Sequence, residues 1–257
     1  MKIGFIGTGD ITEAIVTGLI STDYPVREII LSERNHTKSA RLAAADSRVR
    51  VTSDNQQIVD ESDLVFLAVR PQIAEDVIRP LSFREGQAVA SLIATFTFET
   101  LLDWIGTPVK LTRSIPLPAV ANRRGVTAIY PADDQLEAIY DALGTVVVAK
   151  SLDEFDAYAA TSALMGLYFG VMETANDWLC AQGTSPQYAQ SYLTKIFLEL
   201  SRTADNAPET SFAHLRKEHS TPGGLNQQMF EVFATSGGTE ALTQALDTVA
   251  KRVRDAR

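Results

Sequence analysis

Lys2-Ile3-Gly4-Phe5-Ile6-Gly7-Thr8-Gly9-Asp10-Ile11-Thr12 is the stretch that decides the fold. A short β-branched and aromatic run ends at a glycine pair, and a helix-forming segment follows at once. Residues 29–32, 49–51, 64–69, 88–93, 109–114, 126–130 and 145–149 read as further strands. Several are apolar without alternation, as parallel strands covered on both faces require. Segments long enough for crossover helices, such as 12–20 and 38–45, separate the first five. The rhythm is strand–helix–strand, and it predicts an α/β domain with a doubly wound, mostly parallel sheet over residues 1–150.

After residue 150 the strand signal ends, and residues 151–257 read as an all-α domain. Residues 152–181 look like one long helix, rich in Ala, Leu and Met and apolar around most of its circumference. Such a helix must be enclosed by other helices or by a second subunit. Thr184-Ser185-Pro186 caps and opens the next helix, and Pro208 opens a shorter one. Thr221-Pro222-Gly223-Gly224 is a sharp turn before another, and Gly237-Gly238 precedes the last. There Leu242, Leu246, Val249 and Val253 share a face. Two apolar surfaces of this kind predict a homodimer, or a larger homo-oligomer built from it, with the 221–224 turn at or near the seam.

Composition bounds the function. The chain has 257 residues, 45% hydrophobic and 21% charged, which excludes wholesale disorder. Its net charge of −9 argues against a nucleic-acid partner held by general phosphate attraction. Cys180 is the single cysteine, so no intramolecular disulfide and no thiolate cluster for zinc can form. We expect no metal and a cytoplasmic location. The first apolar run is broken by Gly7, Gly9 and Asp10, and no stretch approaches the roughly 18 apolar residues of a membrane span. Neither a secretory leader nor a membrane partner is expected.

Gly7-Thr8-Gly9 sits between a strand and a helix, the context that gives such a loop meaning. The first glycine permits the tight turn, and the second lets a pyrophosphate approach free N–H groups at the helix N-terminus. The third fingerprint position is Thr12 rather than Gly or Ala, and Asp10 adds a negative charge. A plain strand-to-helix turn is the alternative. The end of the second strand reads Ser32-Glu33-Arg34-Asn35-His36-Thr37-Lys38. Ser32, Arg34, Asn35 and Lys38 suit a 2′-phosphate, whereas Glu33 suits a ribose diol. NADPH is therefore the expected cofactor, with NADH the alternative. Gly7, Thr8, Gly9, Asp10, Ile11, Ser32, Arg34 and Asn35 are the cofactor-binding candidates from these two segments.

Three stretches carry a family resemblance: Ile3-Gly4-Phe5-Ile6-Gly7-Thr8-Gly9, then Asp63-Leu64-Val65-Phe66-Leu67-Ala68-Val69-Arg70-Pro71-Gln72, and Leu215-Arg216-Lys217-Glu218-His219-Ser220-Thr221-Pro222-Gly223-Gly224. With them the whole chain resembles pyrroline-5-carboxylate reductase. The resemblance implies a Rossmann-type domain, an all-helical dimerisation domain and NAD(P)H-dependent reduction of a small cyclic imine or imino acid, here to proline. It implies that Ala68, Val69, Arg70 and Pro71 flank the cofactor at the end of their strand. It also implies that Ser220, Thr221, Gly223, Gly224 and Leu225 receive the substrate, where successive backbone N–H groups at a helix start suit a carboxylate. Asn226 and Glu209 become the catalytic candidates.

The chain departs from the resembled pattern around the expected pocket. Leu225 and Asn226 follow the Pro-Gly-Gly turn where the family ends in Thr, and Ile115-Pro116-Leu117-Pro118 replaces Met-Pro-Asn-Thr-Pro. Residues 161–167 are bulkier and more apolar than the family's Ser/Gly-rich stretch. The reductase machinery looks retained and the substrate altered. A β-hydroxyacid-dehydrogenase-like oxidoreductase is a rival, but such enzymes resemble one another in a Lys on the interdomain helix, and residues 151–194 contain none. A non-catalytic NADPH-binding regulator is the rival from another class. His214 and His219, five apart, do not share a helical face and so make a poor metal pair. The sequence alone leaves the identity of the proton donor open.

Overall fold

The structure is a computed structural model that describes residues 1–93 and 95–255. The chain divides into two compact units: Met1–Ser162 with the chain end from Ala250, and Ala163–Val249.

The first unit carries eight strands: β1 (Lys2–Ile6), β2 (Glu28–Ser32), β3 (Val49–Thr52), β4 (Leu64–Leu67), β5 (Ala88–Ser91), β6 (Lys110–Pro116), β7 (Gly125–Tyr130) and β8 (Gly144–Val148). They form one sheet in the order β3-β2-β1-β4-β5-β6-β7-β8, parallel except between β6 and β7. The crossovers are α1 (Asp10–Ile20), α2 (His36–Ala45), α3 (Asn55–Glu61), α4 (Pro71–Ile78), α5 (Phe98–Ile105) and α6 (Asp134–Ala142), and α7 (Leu152–Thr161) follows β8. Every strand expected from the sequence is present, and the doubly wound sheet stands.

The unbroken apolar runs follow from burial on two faces. Ile3, Phe5, Ile29, Leu31, Leu64 and Phe66 enter one core with Ile15 and Leu19 of α1 and Tyr140 of α6. Ile6, Ile30, Val65 and Leu67 enter the opposite core with Ile78 of α4 and Trp104 of α5. Phe5 and Phe66 stack across β1 and β4 at 4.6 Å. The helix that leaves β1 is held from behind by the 3₁₀ turn Pro118–Asn122. Gly18 of α1 makes this approach possible: a Cβ there would lie 2.4 Å from the Val120 carbonyl oxygen.

The expected single helix over 152–181 is instead two, α7 and α8 (Leu164–Ala181). The Thr161 hydroxyl donates to the Ala157 and Tyr158 carbonyls, and the Ser162 hydroxyl donates to that of Tyr158. The same bond occurs within the unbroken α8, from Thr174 to the Gly170 carbonyl, so these hydroxyls accompany the break without accounting for it. Helix α7 packs on the sheet through Phe155, against Ala128 and Ala149. Below it, Arg113 of β6 and Asp156 form a buried ion pair at 3.9 Å, with the guanidinium 5.0 Å from the Phe155 ring centroid.

The second unit adds α9 (Pro186–Asp205), α10 (Phe212–Glu218) and α11 (Leu225–Thr235), and α12 (Gly238–Asp255) begins in it. Helix α10 starts at Phe212 and not at Pro208, because Ser211 caps it by accepting from the His214 N–H. Tyr168 of α8 and Phe197 of α9 meet edge to face at 5.4 Å. Yet α8, α10, α11 and α12 bury no residue fully. Phe169 is 67% exposed and Trp178 63%. The stripe expected on α12 is its less exposed face, with Leu242, Leu246, Val249 and Val253 half-buried.

Gly18→Ala is expected to cost about 1–3 kcal/mol, because the added methyl meets backbone that cannot rotate away. Thermal unfolding measures it, with Gly9→Ala, whose methyl would meet nothing within 4 Å, as the unperturbed control.

Candidate active site

Strands β1 and β4 are neighbours, and the chain leaves them in opposite lateral directions, to β2 from β1 and to β5 from β4. This is the switch point of the sheet, where a crevice opens beyond the carboxyl ends. A cavity of about 400 Å³ lies there, and Gly7, Thr8, Gly9, Ala68, Val69 and Arg70 line it. Arg34, Asn35 and His36 close its other side. An adjoining cavity of about 550 Å³ runs past Ser32, Glu33 and Arg34 to Ser53 and Asn55.

The two loop glycines have different causes. Gly7 has φ 105°, and a Cβ would lie 2.4 Å from the Ala68 carbonyl oxygen, so the loop itself requires it. Gly9 has extended backbone and a Cβ there would meet nothing within 4 Å. The protein does not need that glycine for packing, so its bareness leaves room for something outside the chain. Thr12, the departure at the third fingerprint position, is fully buried and donates to the Gly7 carbonyl at 2.8 Å. Thr8 likewise donates to the Ser32 carbonyl at 2.7 Å. Hydroxyls lock a loop that glycines only permit.

The candidates at the end of β2 divide by how far they are already engaged. Ser32 is buried, and its hydroxyl accepts the Gly7 N–H at 2.8 Å. Asn35 caps α2 by accepting from the Lys38 N–H. The Lys38 ammonium pairs with Asp10 and with Glu13. It holds the Asp10 carboxyl below the usual carboxylate range, with a lesser pull from Arg70. Arg34 has no hydrogen bond or ion pair to any described residue, and it borders both cavities. Of the remaining candidates, Ile11 is half-buried and packs against the core. Pro71 is the first residue of α4, where it has no N–H to offer.

In the helical unit the Thr221–Gly224 stretch is a β-turn, closed by Gly224 N–H to Thr221 carbonyl at 2.8 Å with Gly223 at φ 71°. The Gly223 N–H is taken by the Gln227 side chain, and the Ser220 hydroxyl by the Arg216 carbonyl. The Asn226 amide donates to the His219 carbonyl at 2.6 Å, tying the end of α10 to the start of α11. Leu225 and Asn226 open the first turn of α11, where helix N–H groups lack intrahelical partners. Glu209 lies in the turn between α9 and α10, beside a cavity of about 570 Å³. Among the described residues no hydrogen bond or ion pair joins it to the 220–226 turn.

Sequence reasoning passed over His36, which borders the cofactor cavities from the first residue of α2, and Thr8 and Thr12 as loop locks. The signal for the threonines was their placement around two glycines, where a hydroxyl can reach a neighbouring carbonyl. Among the described residues, no group of three or more His, Cys, Asp or Glu could hold a metal ion. No described helix is long and apolar enough to cross a membrane.

Fold and cleft define a class: an oxidoreductase with a dinucleotide-type α/β unit followed by helices. Residues 2–95 match a family described as NADP oxidoreductase, coenzyme F420-dependent, and residues 153–256 match pyrroline-5-carboxylate reductase dimerisation. The pyrroline-5-carboxylate reductase of Vibrio alginolyticus is 26% identical, covering 99% of this chain and 97% of its own. Pyrroline-5-carboxylate reductase 2 of Bacillus subtilis is 27% identical over 98% and 93%. The structure of a pyrroline-5-carboxylate reductase from Coxiella burnetii superposes with a TM-score of 0.86, at 27% identity over 99% and 97% of the two chains. The chain is similar to pyrroline-5-carboxylate reductases along its whole length, and residues 153–256 match their dimerisation family, as a homo-oligomer requires.

Gly9→Ala is expected to leave stability within about 0.5 kcal/mol while weakening NADPH binding at least tenfold. Calorimetric titration beside a thermal melt separates the two. Arg34→Ala should cost NADPH about 1.5–3 kcal/mol of binding and NADH far less, because only NADPH offers the 2′-phosphate. Equal losses would remove Arg34 as the phosphate reader.

Proposed function

We propose that this chain reduces 1-pyrroline-5-carboxylate to proline with NADPH, working as a homodimer in the cytoplasm. The observation that carries the cofactor is Gly9: bare, unneeded by packing, and set at the N-cap of α1 beside an open cleft. The full-length likeness to pyrroline-5-carboxylate reductases supports the substrate.

The residues fit a phosphorylated dinucleotide. The first N–H groups of α1 and the helix dipole receive the pyrophosphate. Arg34 faces the 2′-phosphate, because Lys38 is already neutralised by Asp10 and Glu13. When bound, NADPH supplies the hydride that the imine carbon accepts. The chain's own work is orientation, exclusion of water and charge complementarity. The N–H groups of Leu225, Asn226 and Gln227, in the first turn of α11, hold the substrate carboxylate. Asn226 keeps that turn fixed by its bond to His219, so it positions the cradle and does not move a proton itself. Glu209 is the acid offered to the imine nitrogen.

Purified protein is expected to oxidise NADPH with 1-pyrroline-5-carboxylate and to release proline, measured by absorbance and amino-acid analysis. Tight NADPH binding with no oxidation by any cyclic imine would leave the non-catalytic regulator as the better reading. Light scattering on dilute protein should report a dimer, since a monomer would leave Phe169 and Trp178 in water.

A further inference from the structure

His36 stands where the two parts of the cofactor cleft meet. It borders both the cavity of about 400 Å³ at the glycine loop and the cavity of about 550 Å³ that reaches Ser53 and Asn55. Gly7, Val69 and Arg34 are the other residues common to both, so only Arg34 and His36 can bring a positive charge to that junction. The His36 side chain is exposed, and its ring has no hydrogen bond or ion pair to any described residue.

The fold itself gives a charge at residue 36 no support. The first turn of α2 carries no acid, and the positive end of a helix dipole disfavours a cation. The charged groups on the surrounding elements are engaged elsewhere. Asp10 and Glu13 of α1 face Lys38, and Glu13 also takes Arg41. Asp54 caps α3 by accepting from the Gln56 and Gln57 N–H groups. Arg70, ahead of α4, adds its pull on Asp10. That leaves Glu33 and Arg34 on the loop before α2, which are opposite in sign.

In a sheet of this kind the ribose that carries the 2′ position sits at the end of the second strand, where residues 33–36 stand. Glu33 suits a diol there and Arg34 a phosphate, so their charges pull the choice in opposite directions. The third group breaks that tie, and it carries a charge only when protonated. We propose that His36 is a second reader of the 2′-phosphate, and that its protonation sets how strongly the chain prefers NADPH to NADH. Histidine changes its charge between pH 5 and 8. As the pH falls through that range, the imidazolium joins Arg34 against the phosphate and the preference rises. As the pH rises, the preference falls back on Arg34 alone. Binding of the phosphorylated cofactor therefore draws a proton onto His36. The inference rests on the NADPH reading above and adds a pH dependence to it.

Calorimetry on the purified chain compares NADP⁺ with NAD⁺, which differ only in the 2′-phosphate, near pH 6 and near pH 8.5. The quantity read is the ratio of the NAD⁺ Kd to the NADP⁺ Kd, in the wild type and in His36→Gln. A phosphate monoester has its own second ionisation near about pH 6, but it acts on both proteins alike and cancels between them. We expect His36→Gln to lower the ratio about tenfold near pH 6, as loss of a charge-assisted bond does, and less than twofold near pH 8.5. His36→Lys, charged at both, should keep the ratio high at both. Near pH 7.5, titrations in buffers of different ionisation enthalpy should show proton uptake with NADP⁺ and none with NAD⁺, and His36→Gln should abolish it. An equal effect of His36→Gln at the two pH values would overturn the proposal, because a ring contact without charge gives that result. No effect at either would also overturn it and leave Arg34 as the reader. Failure of the NADPH reading looks different: a wild-type ratio at or below one at both pH values, unmoved by Arg34→Ala, would sink that reading and this proposal together.

Discussion

The closeness of Gly7 to the Ala68 carbonyl is the constraint on which the site depends. A side chain at residue 7 would have to share space with backbone 2.4 Å away, at a φ that L residues rarely adopt. Because that contact is backbone on backbone, the exits of β1 and β4 lie side by side, and the cleft has a floor. Ser32, Thr8 and Thr12 then fix the loop through hydroxyls that are buried within the first unit. The bare Gly9 stays on the open side. One glycine is fixed by the fold, and its neighbour is left over for a ligand. A fingerprint alone does not tell these two roles apart.

The sheet was legible because its strands are buried on both faces. Ile29, Ile30 and Leu31 go alternately into two cores, so their run cannot alternate in polarity, and its shortness and β-branched residues mark it as a strand. The break between α7 and α8 was not legible. Residues 152–181 keep one composition, so nothing in their polarity marks the turn at Ser162 and Ala163. Arg113 was invisible for a related reason. A cation inside a strand reads as an exposed edge, whereas here it is buried between aromatic rings and Asp156, and it fastens α7 to the sheet.

At the site, residue type was readable and engagement was not. The segment 32–38 offers a hydroxyl, an amide and two cations that all suit a phosphate on paper. In the folded chain Ser32 holds the glycine loop, Asn35 caps α2, and Lys38 sits between Asp10 and Glu13. The two charges explain each other's presence: Asp10 would oppose a pyrophosphate at the start of α1, and Lys38 offsets that charge from α2. Of these four what remains uncommitted is Arg34, so the permanent charge that bears on the choice between cofactors narrows to one guanidinium opposed by Glu33 beside it. The turn in the helical unit behaves alike. Ser220, Gly223 and Gly224 supply its shape and use their own polar groups in doing so. The groups left for a ligand belong to the helix that the turn begins.

The two units differ in what makes them stable. The first has two apolar layers with fully buried side chains on both faces of its sheet, which a single chain can complete. In the second, only Ala189 and Leu193 of α9 are buried, while Leu225 and Met229 of α11 are 82% and 73% exposed. Ordering a helical unit of this size costs more conformational entropy than two buried side chains return. Its apolar faces must therefore be covered for it to persist, and the dimerisation family it matches says by what: another copy. It follows that the order of the α11 turn, and any substrate it holds, is linked by mass action to assembly, whereas the dinucleotide cleft is not. The first unit is complete within one chain, and the order of the second depends on assembly.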